Sequence, residues 1–307
     1  MLRYIKYLNI LKNFFLEKNF ILVNSPLQFL NVIEYIEKTK DKSFSNDIYI
    51  GYTNEKSIKQ IFNINRKFQL NFNFIPLSWD FNINFFHKIL YLKKKLFGFN
   101  KLIVGDINYY LFREFYKYSK FSIVLDDGTS ALERKLIKKT IFFSIFKKKN
   151  NIKNDYNFLK SKKVKNKINY SLIYIIGSAS VERNVLPKKK YLKILKKIYS
   201  EHEKQKIIYI PHRLEKIKYL QNIFPKLVFQ NISIPVEVEF VRTSILPYKV
   251  YGFYSSALFN LKELFRSKIK FVNIDYTFKY ILDKKLVKRH YLIKKANVSH
   301  KIKNLIY

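Results

Sequence analysis

Short apolar runs alternate along this chain with longer segments whose apolar positions recur at helical spacing. Residues 19–23 read as a first strand and 27–36 as a helix; 47–51 reads as a second strand, followed by a helical stretch at 55–62. Residues 72–77 fit a third strand and 85–96 a basic amphipathic helix. The run at 101–104 stops at Gly105-Asp106, a helix is predicted over 109–116, and the run at 121–125 stops at Asp126-Asp127-Gly128. Residues 147–167 are rich in lysine and asparagine with little apolar periodicity, the pattern of a domain linker or a basic loop over a functional site. The alternation resumes with strands at 171–176, 207–210, 227–230, 250–254 and 269–272 and a helix at 188–199. Such alternation predicts an α/β fold with a mainly parallel sheet. A length of 307 residues suits two domains, here 1–165 and 166–307, and no internal repeat is visible.

Three of the apolar runs end in polar residues that packing does not require. The run ending at Leu125 presents Asp126 and Asp127 before a glycine. Ligand crevices in open α/β sheets lie outside the carboxyl ends of strands, where a carboxylate can take a proton or hold a cation. An Asx turn capping the next helix explains the same residues on local grounds alone. The run ending at Ile210 meets Pro211-His212-Arg213, and the run ending at Tyr254 meets Ser255-Ser256. The serine pair also suits a helix N-cap, a role compatible with ligand binding.

In order and type these motifs resemble the bacterial sialyltransferases of GT-B architecture, the lipooligosaccharide sialyltransferase and polysialyltransferase-like group. Asn24-Ser25-Pro26-Leu27-Gln28, Gly177-Ser178 followed by Glu182, and Pro235-Val236-Glu237 fall where that pattern would have them. One departure is plain: the family's histidine precedes its proline, whereas here Pro211 precedes His212. The resemblance covers roughly residues 20–265. It implies a GT-B-like fold of two Rossmann-like domains with a cleft between them, the first on the acceptor side and the second binding the CMP donor. It further implies transfer of sialic acid from CMP-sialic acid to a glycan hydroxyl, with inversion and without a metal or other cofactor. Asp127 matches the base position, and Asp126 would orient the loop or raise the base's pKa by like-charge proximity. His212, Ser255 and Ser256 would stabilise the leaving phosphate, with backbone N–H groups of a helix beginning near Ala257. Glu237 resembles the position that binds the ribose hydroxyls, with Glu239 as a rival, and Gly177-Ser178 would approach the nucleotide. Asn24, Ser25 and Gln28 are candidate substrate contacts, and Glu182 a supporting residue. Activity is expected to survive EDTA.

Composition narrows the classes. The absence of cysteine removes disulfides, thiolate nucleophiles and cysteine zinc sites, and none of the five histidines forms a close pair. Sixty Lys and Arg against 22 Asp and Glu give a net charge of +38, which suggests nucleic acid or an anionic membrane surface. The lysines are spread along the chain, residues with A/T-rich codons are jointly abundant, and no nucleic-acid-binding signature is present. The reading is therefore an anionic inner-membrane partner and no specific nucleic acid. A transferase using another nucleotide sugar, or a basic nucleic-acid-binding protein, are the rivals. Residues 1–12 lack the continuous apolar core of a secretory signal, and no uncharged apolar stretch is long enough to span a bilayer. The expected location is the cytoplasm, peripheral on the inner membrane. The basic tail, 284–307, can lie on such a membrane or pack back as an ordinary surface helix.

Overall fold

A computed structural model describes residues 19–40, 47–51, 55–77, 92, 95, 99–106, 110–134, 137–146, 149–276 and 284–306. The N-terminal segment lies outside these residues, as does the helix expected at 85–96 apart from Leu92 and Lys95. The chain divides into two compact units. One comprises Met1–Asp127 with Lys135–Asn154, the other Gly128–Arg134 with Asp155–Tyr307.

In the first unit, strands β1 (Asn19–Val23), β2 (Asp47–Gly51), β3 (Asn73–Leu77), β4 (Phe99–Val104), β5 (Ser119–Leu125), β6 (Thr140–Ser144) and β7 (Asn151–Lys153) form one sheet. Its order is β3-β2-β1-β4-β5-β6-β7, and every pairing is parallel. Parallel strands need crossovers, and α1 (Pro26–Thr39), α2 (Glu55–Lys67) and α3 (Tyr110–Tyr116) supply three of them. Helix α1 starts where Ser25 caps it, its Oγ accepting from Gln28 N with Pro26 in the first turn, and ends at Lys40 in a left-handed conformation (φ 51°). Phe20, Leu22, Tyr49, Leu102, Val104 and Val124 pack on one face of the sheet against Phe112 and Phe115 of α3. Burying each such side chain contributes about 1.5–3 kcal/mol.

The second unit repeats the plan. Strands β8 (Lys167–Ile176), β9 (Lys206–Ile210), β10 (Val228–Phe229), β11 (Ile245–Gly252), β12 (Lys270–Asp275) and β13 (Lys303–Ile306) are ordered β10-β9-β8-β11-β12-β13, again all parallel. Counted within the unit this is 3-2-1-4-5-6, the doubly wound order whose strand direction of travel reverses between β8 and β11. The unit's helices are α4 (Asn157–Ser161), α5 (Lys188–Glu201), α6 (Lys218–Ile223), α7 (Val236–Arg242), α8 (Ser256–Phe265) and α9 (Lys284–Ser299). The structure is thus α/β with two parallel, Rossmann-like sheets.

Two regions differ in detail from the sequence pattern. The lysine-rich stretch at 147–167 carries β7, which pairs with β6, and then α4, whose Phe158 and Leu159 are buried. Tyr156, Phe158 and Leu159 suffice as apolar anchors there, and lysines dominate the composition around them. The basic tail forms α9 and β13; Ile293, Ala296, Asn297 and Ile302 are buried, and β13 adds to β12 at the sheet edge. No helix of the described residues is long and apolar enough to cross a membrane.

Candidate functional site

In the first unit the strand β5 ends beneath the acidic pair, and the two carboxylates have different surroundings. Asp126 is buried: its Oδ2 accepts from Ile145 N at 2.8 Å, just past β6. Its carbonyl accepts from Asn31 Nδ2 on α1 at 2.9 Å, and Asn31 Oδ1 accepts from Asn154 Nδ2 at 3.0 Å. Asp126 therefore ties the end of β5 to β6 and α1. Asp127 is half-buried, and Ser25 Oγ donates to its Oδ1 at 3.5 Å. The same Ser25 Oγ accepts from Gln28 N at 3.3 Å, which fixes its position at the start of α1. Gln28 is buried; its Oε1 accepts from Asn24 N at 2.7 Å and its side chain fills the space over Gly105. A Cβ at Gly105 would lie 2.0 Å from Gln28 Cδ, so only glycine lets Gln28 brace the turn. Among the predicted contacts Asn24 and Ser25 keep partial exposure, while Gln28 supports them from below.

The residues that follow the acidic pair belong to the second unit. Gly128 adopts φ +65°, and a Cβ there would meet Ser256 Oγ at 3.2 Å. The left-handed conformation favours glycine, and the approach to Ser256 leaves a side chain little room. A turn of 3-10 helix, Ser130–Glu133, comes next; Glu133 Oε2 accepts from Arg289 Nη2 at 2.6 Å and Nε at 2.8 Å, anchoring the segment to α9.

The carboxyl edge of the second sheet gathers the other predicted residues. Strands β9, β8 and β11 are consecutive neighbours, so their ends span only about 10 Å. After β8, Gly177 donates its N–H to Ile210 O at 2.8 Å, and Ser178 Oγ lies 2.6 Å from Ser180 Oγ. After β9, His212 is half-buried and its Nδ1 accepts from Leu214 N at 3.2 Å. Burial first, then the Arg213 and Arg183 charges, push its pKa down to about 4. The ring is therefore neutral at pH 7 and carries its proton on Nε2, a ready donor. After β11, Ser255 caps α8, its Oγ accepting from Ala257 N at 3.3 Å, and Ser256 opens the helix with partial exposure. The turn before them is held by Tyr254 at φ +50°, whose N–H donates to Asn273 Oδ1 at 2.9 Å and whose hydroxyl donates to Asp275. Its ring stacks on His290 at 3.8 Å.

The acidic residues of this unit are placed differently from one another. Glu237 is buried in the first turn of α7, its Oε1 accepting from Asn260 Nδ2 on α8 at 2.7 Å, and burial raises its pKa. It joins two helices. Glu239 is half-buried and accepts from Gln230 Nε2 at 3.4 Å. Glu182 Oε1 accepts from Lys216 N at 2.8 Å. Glu215 escaped the motif reading, yet it sits at the centre of the edge. It accepts from Tyr191 OH at 2.9 Å, from Tyr209 OH and, through Oε2, from His212 N at 3.0 Å. Burial pushes it up to about 7, against the hydrogen bonds that favour its charged form. A Cβ at Gly177 would lie 2.3 Å from Glu215 Oε2 and 2.6 Å from Tyr209 OH. Glycine at 177 thus makes room for the carboxyl that braces the His212 turn. The signal available in sequence was the reciprocal spacing: Glu215 N donates to His212 O while His212 N donates to Glu215.

Together the edge presents neutral donors: the Ser178 and Ser256 hydroxyls, His212 Nε2–H and the N–H groups opening α8. Such a set suits an anion of phosphate type. Among the described residues no group of three or more His, Asp or Glu could hold a metal ion. No family model matches the chain, and no curated protein matches it in sequence.

Proposed function

We propose that this protein is an inverting, metal-independent glycosyltransferase of GT-B architecture that moves sialic acid from CMP-sialic acid to a hydroxyl of a bacterial surface glycan. The observation that carries this reading is the gathering of Gly177-Ser178, His212 and Ser255-Ser256 on one edge of a doubly wound sheet, beside its switch point. In the reaction the acceptor O–H loses its proton to Asp127 as its oxygen bonds to the anomeric carbon. The bond from that carbon to the phosphate oxygen breaks, and CMP leaves with the electron pair. Asp127 suits the base because it is the partly exposed member of the pair, while Asp126 is engaged in holding the turn. His212 Nε2–H, the serine hydroxyls and the α8 N-terminus stabilise charge on the departing phosphate. Because His212 is neutral, this stabilisation does not depend on its protonation.

The test is thermal-shift stabilisation of the purified chain by CMP, against UMP and GMP at matched ionic strength. Selective stabilisation by CMP that is lost in Ser256→Ala and His212→Ala supports the reading. Equal response to all three nucleotides refutes it and leaves only general attraction of anions to a basic chain.

A further inference from the structure

The amino-terminal edge of the same sheet has its own chemistry. A cavity of about 420 Å³ is lined there by Lys249, Lys262, Lys270, Lys301 and Lys303 around Tyr248. Five of its ten described lining residues are lysine, against 60 Lys and Arg in 307 residues for the whole chain, so the basic bias is local. None of the ten is acidic.

The strand register makes this concentration costly. Lys249 on β11 is paired directly with Lys270 on β12, and Lys303 on β13 is paired with Val272, two residues on from Lys270 and on the same face. Like charges directly opposite one another destabilise a sheet. Burial, then the charges of Lys303 and Lys270, lower the pKa of Lys249, with Glu201 opposing; burial, then Lys301, lower that of Lys262. Two other lysines of this unit are matched to acids, Lys294 to Asp275 at 2.7 Å and Lys160 to Glu263 at 3.4 Å. No carboxylate among the described residues forms an ion pair with any of the five. Among the described residues Lys270 meets the ring and hydroxyl of Tyr248. A fold that accepts such repulsion with Glu201 acting on Lys249 but no direct ion pair suits a counter-charge from outside.

We propose that this cavity is an anion site for phosphate groups, whether those of a free diphosphate or those of anionic phospholipid headgroups. The volume falls in the range of small-ligand sites. Lysine ammonium groups on flexible stems suit phosphate oxygens as point charges. Lining residues Lys249 and Val272 each stand three residues from the end of their strands and Lys270 five, so the cavity lies roughly 10–16 Å from the carboxyl edge and would be filled independently of any nucleotide there.

The experiment is calorimetric titration of the full chain with pyrophosphate, alongside co-sedimentation with vesicles of phosphatidylcholine alone and of phosphatidylcholine with phosphatidylglycerol. A Lys249→Ala/Lys270→Ala/Lys303→Ala variant is compared with Lys189→Ala/Lys193→Ala/Lys196→Ala on the exposed face of α5, which removes the same charge. Pyrophosphate affinity weakened at least about tenfold in the cavity variant, and unchanged in the α5 variant, supports a site for a free anion. Sedimentation with the phosphatidylglycerol vesicles, lost only in the cavity variant, together with no calorimetric binding of pyrophosphate, supports the headgroup as the source. Equal weakening in both variants overturns the proposal, as does failure of the wild-type chain to bind either probe. Should the triple variant melt early, Lys301→Ala/Lys303→Ala, both exposed, repeats the comparison.

Discussion

Replacing Glu215 with glutamine isolates how a buried carboxyl shapes the pH response of the second unit. Glu215 is held at about 7 from an ordinary 4.5, so between those values the folded state binds a proton that the unfolded state has released. Stability from this residue is therefore full below about pH 4.5 and falls as pH rises through 7. At 1.36 kcal/mol per pKa unit the loss is at most about 3 kcal/mol, since the side chain keeps some access to solvent. For a unit of this size that corresponds to roughly 6–12 °C in Tm. His212 and His290 act in the opposite sense: both are pushed down to about 4, so their contribution is present above pH 6.5 and lost as pH falls toward 4. The wild-type profile thus mixes opposed slopes, and the difference between Glu215→Gln and wild type is the informative curve. Glutamine keeps an oxygen for Tyr191 and Tyr209 but turns an amide N–H toward His212 N, which costs about 1–3 kcal/mol at every pH. Melting followed by circular dichroism from pH 5 to 8 should show a constant offset plus a relative gain by the variant as pH rises. Parallel curves across that range would refute the placement of an uncharged carboxyl at this edge.

Further outcomes follow from the same geometry. Asp127→Asn should abolish the proposed glycosyl transfer with little change in Tm, whereas Asp126→Ala should cost about 1–3 kcal/mol by orphaning Ile145 N–H, a contrast that paired activity and melting assays would read. Gly128→Ala should destabilise by about 1 kcal/mol or more, because it strains φ +65° and crowds Ser256; unchanged denaturant midpoints would contradict this. Ser255→Ala should remove about 1 kcal/mol of capping from α8, visible in urea titration, and Ser255→Thr should restore most of it. The rate of transfer should show no loss as pH rises through 6.5, since His212 is already neutral there; a fall with that midpoint would mean the charged ring is needed.

The alternation of apolar runs was enough to locate β1, β2, β4, β5, β8, β9, β11 and β12, because strands buried on both faces must be nearly continuous in apolar residues. Three strands escaped. The edge strands β7 and β13 are covered on fewer sides, so polar residues such as Lys153, Lys303 and Asn304 are tolerated and the pattern fades, although the edge strands β3 and β10 were legible. The inner strand β6, with Phe142 and Phe143 buried, was passed over although its apolar run stands in the sequence. The polar strand ends were legible for the same reason that the runs were, since each interrupts an apolar stretch at a defined point. Their division of labour was not. Asp126 and Asp127 are chemically identical in sequence, and only the approach of Ile145 N and Asn31 to one of them separates an engaged carboxylate from an accessible one. Glu215 reads as one acid in a basic turn until burial beneath two tyrosines changes its proton affinity. Lys249 and Lys270 are twenty-one positions apart along the chain and become neighbours only through the register of β11 and β12. By itself the sequence determined most of the strands and the longer helices, where the chain must turn, and which polar types stand at those turns, because these depend on periodicity and local backbone preference. Strand order, register and burial were decided by tertiary packing. Those three set which carboxyl is partly exposed, which has its pKa pushed up to about 7 and which lysines meet, because pairing and desolvation act between residues that the chain keeps far apart.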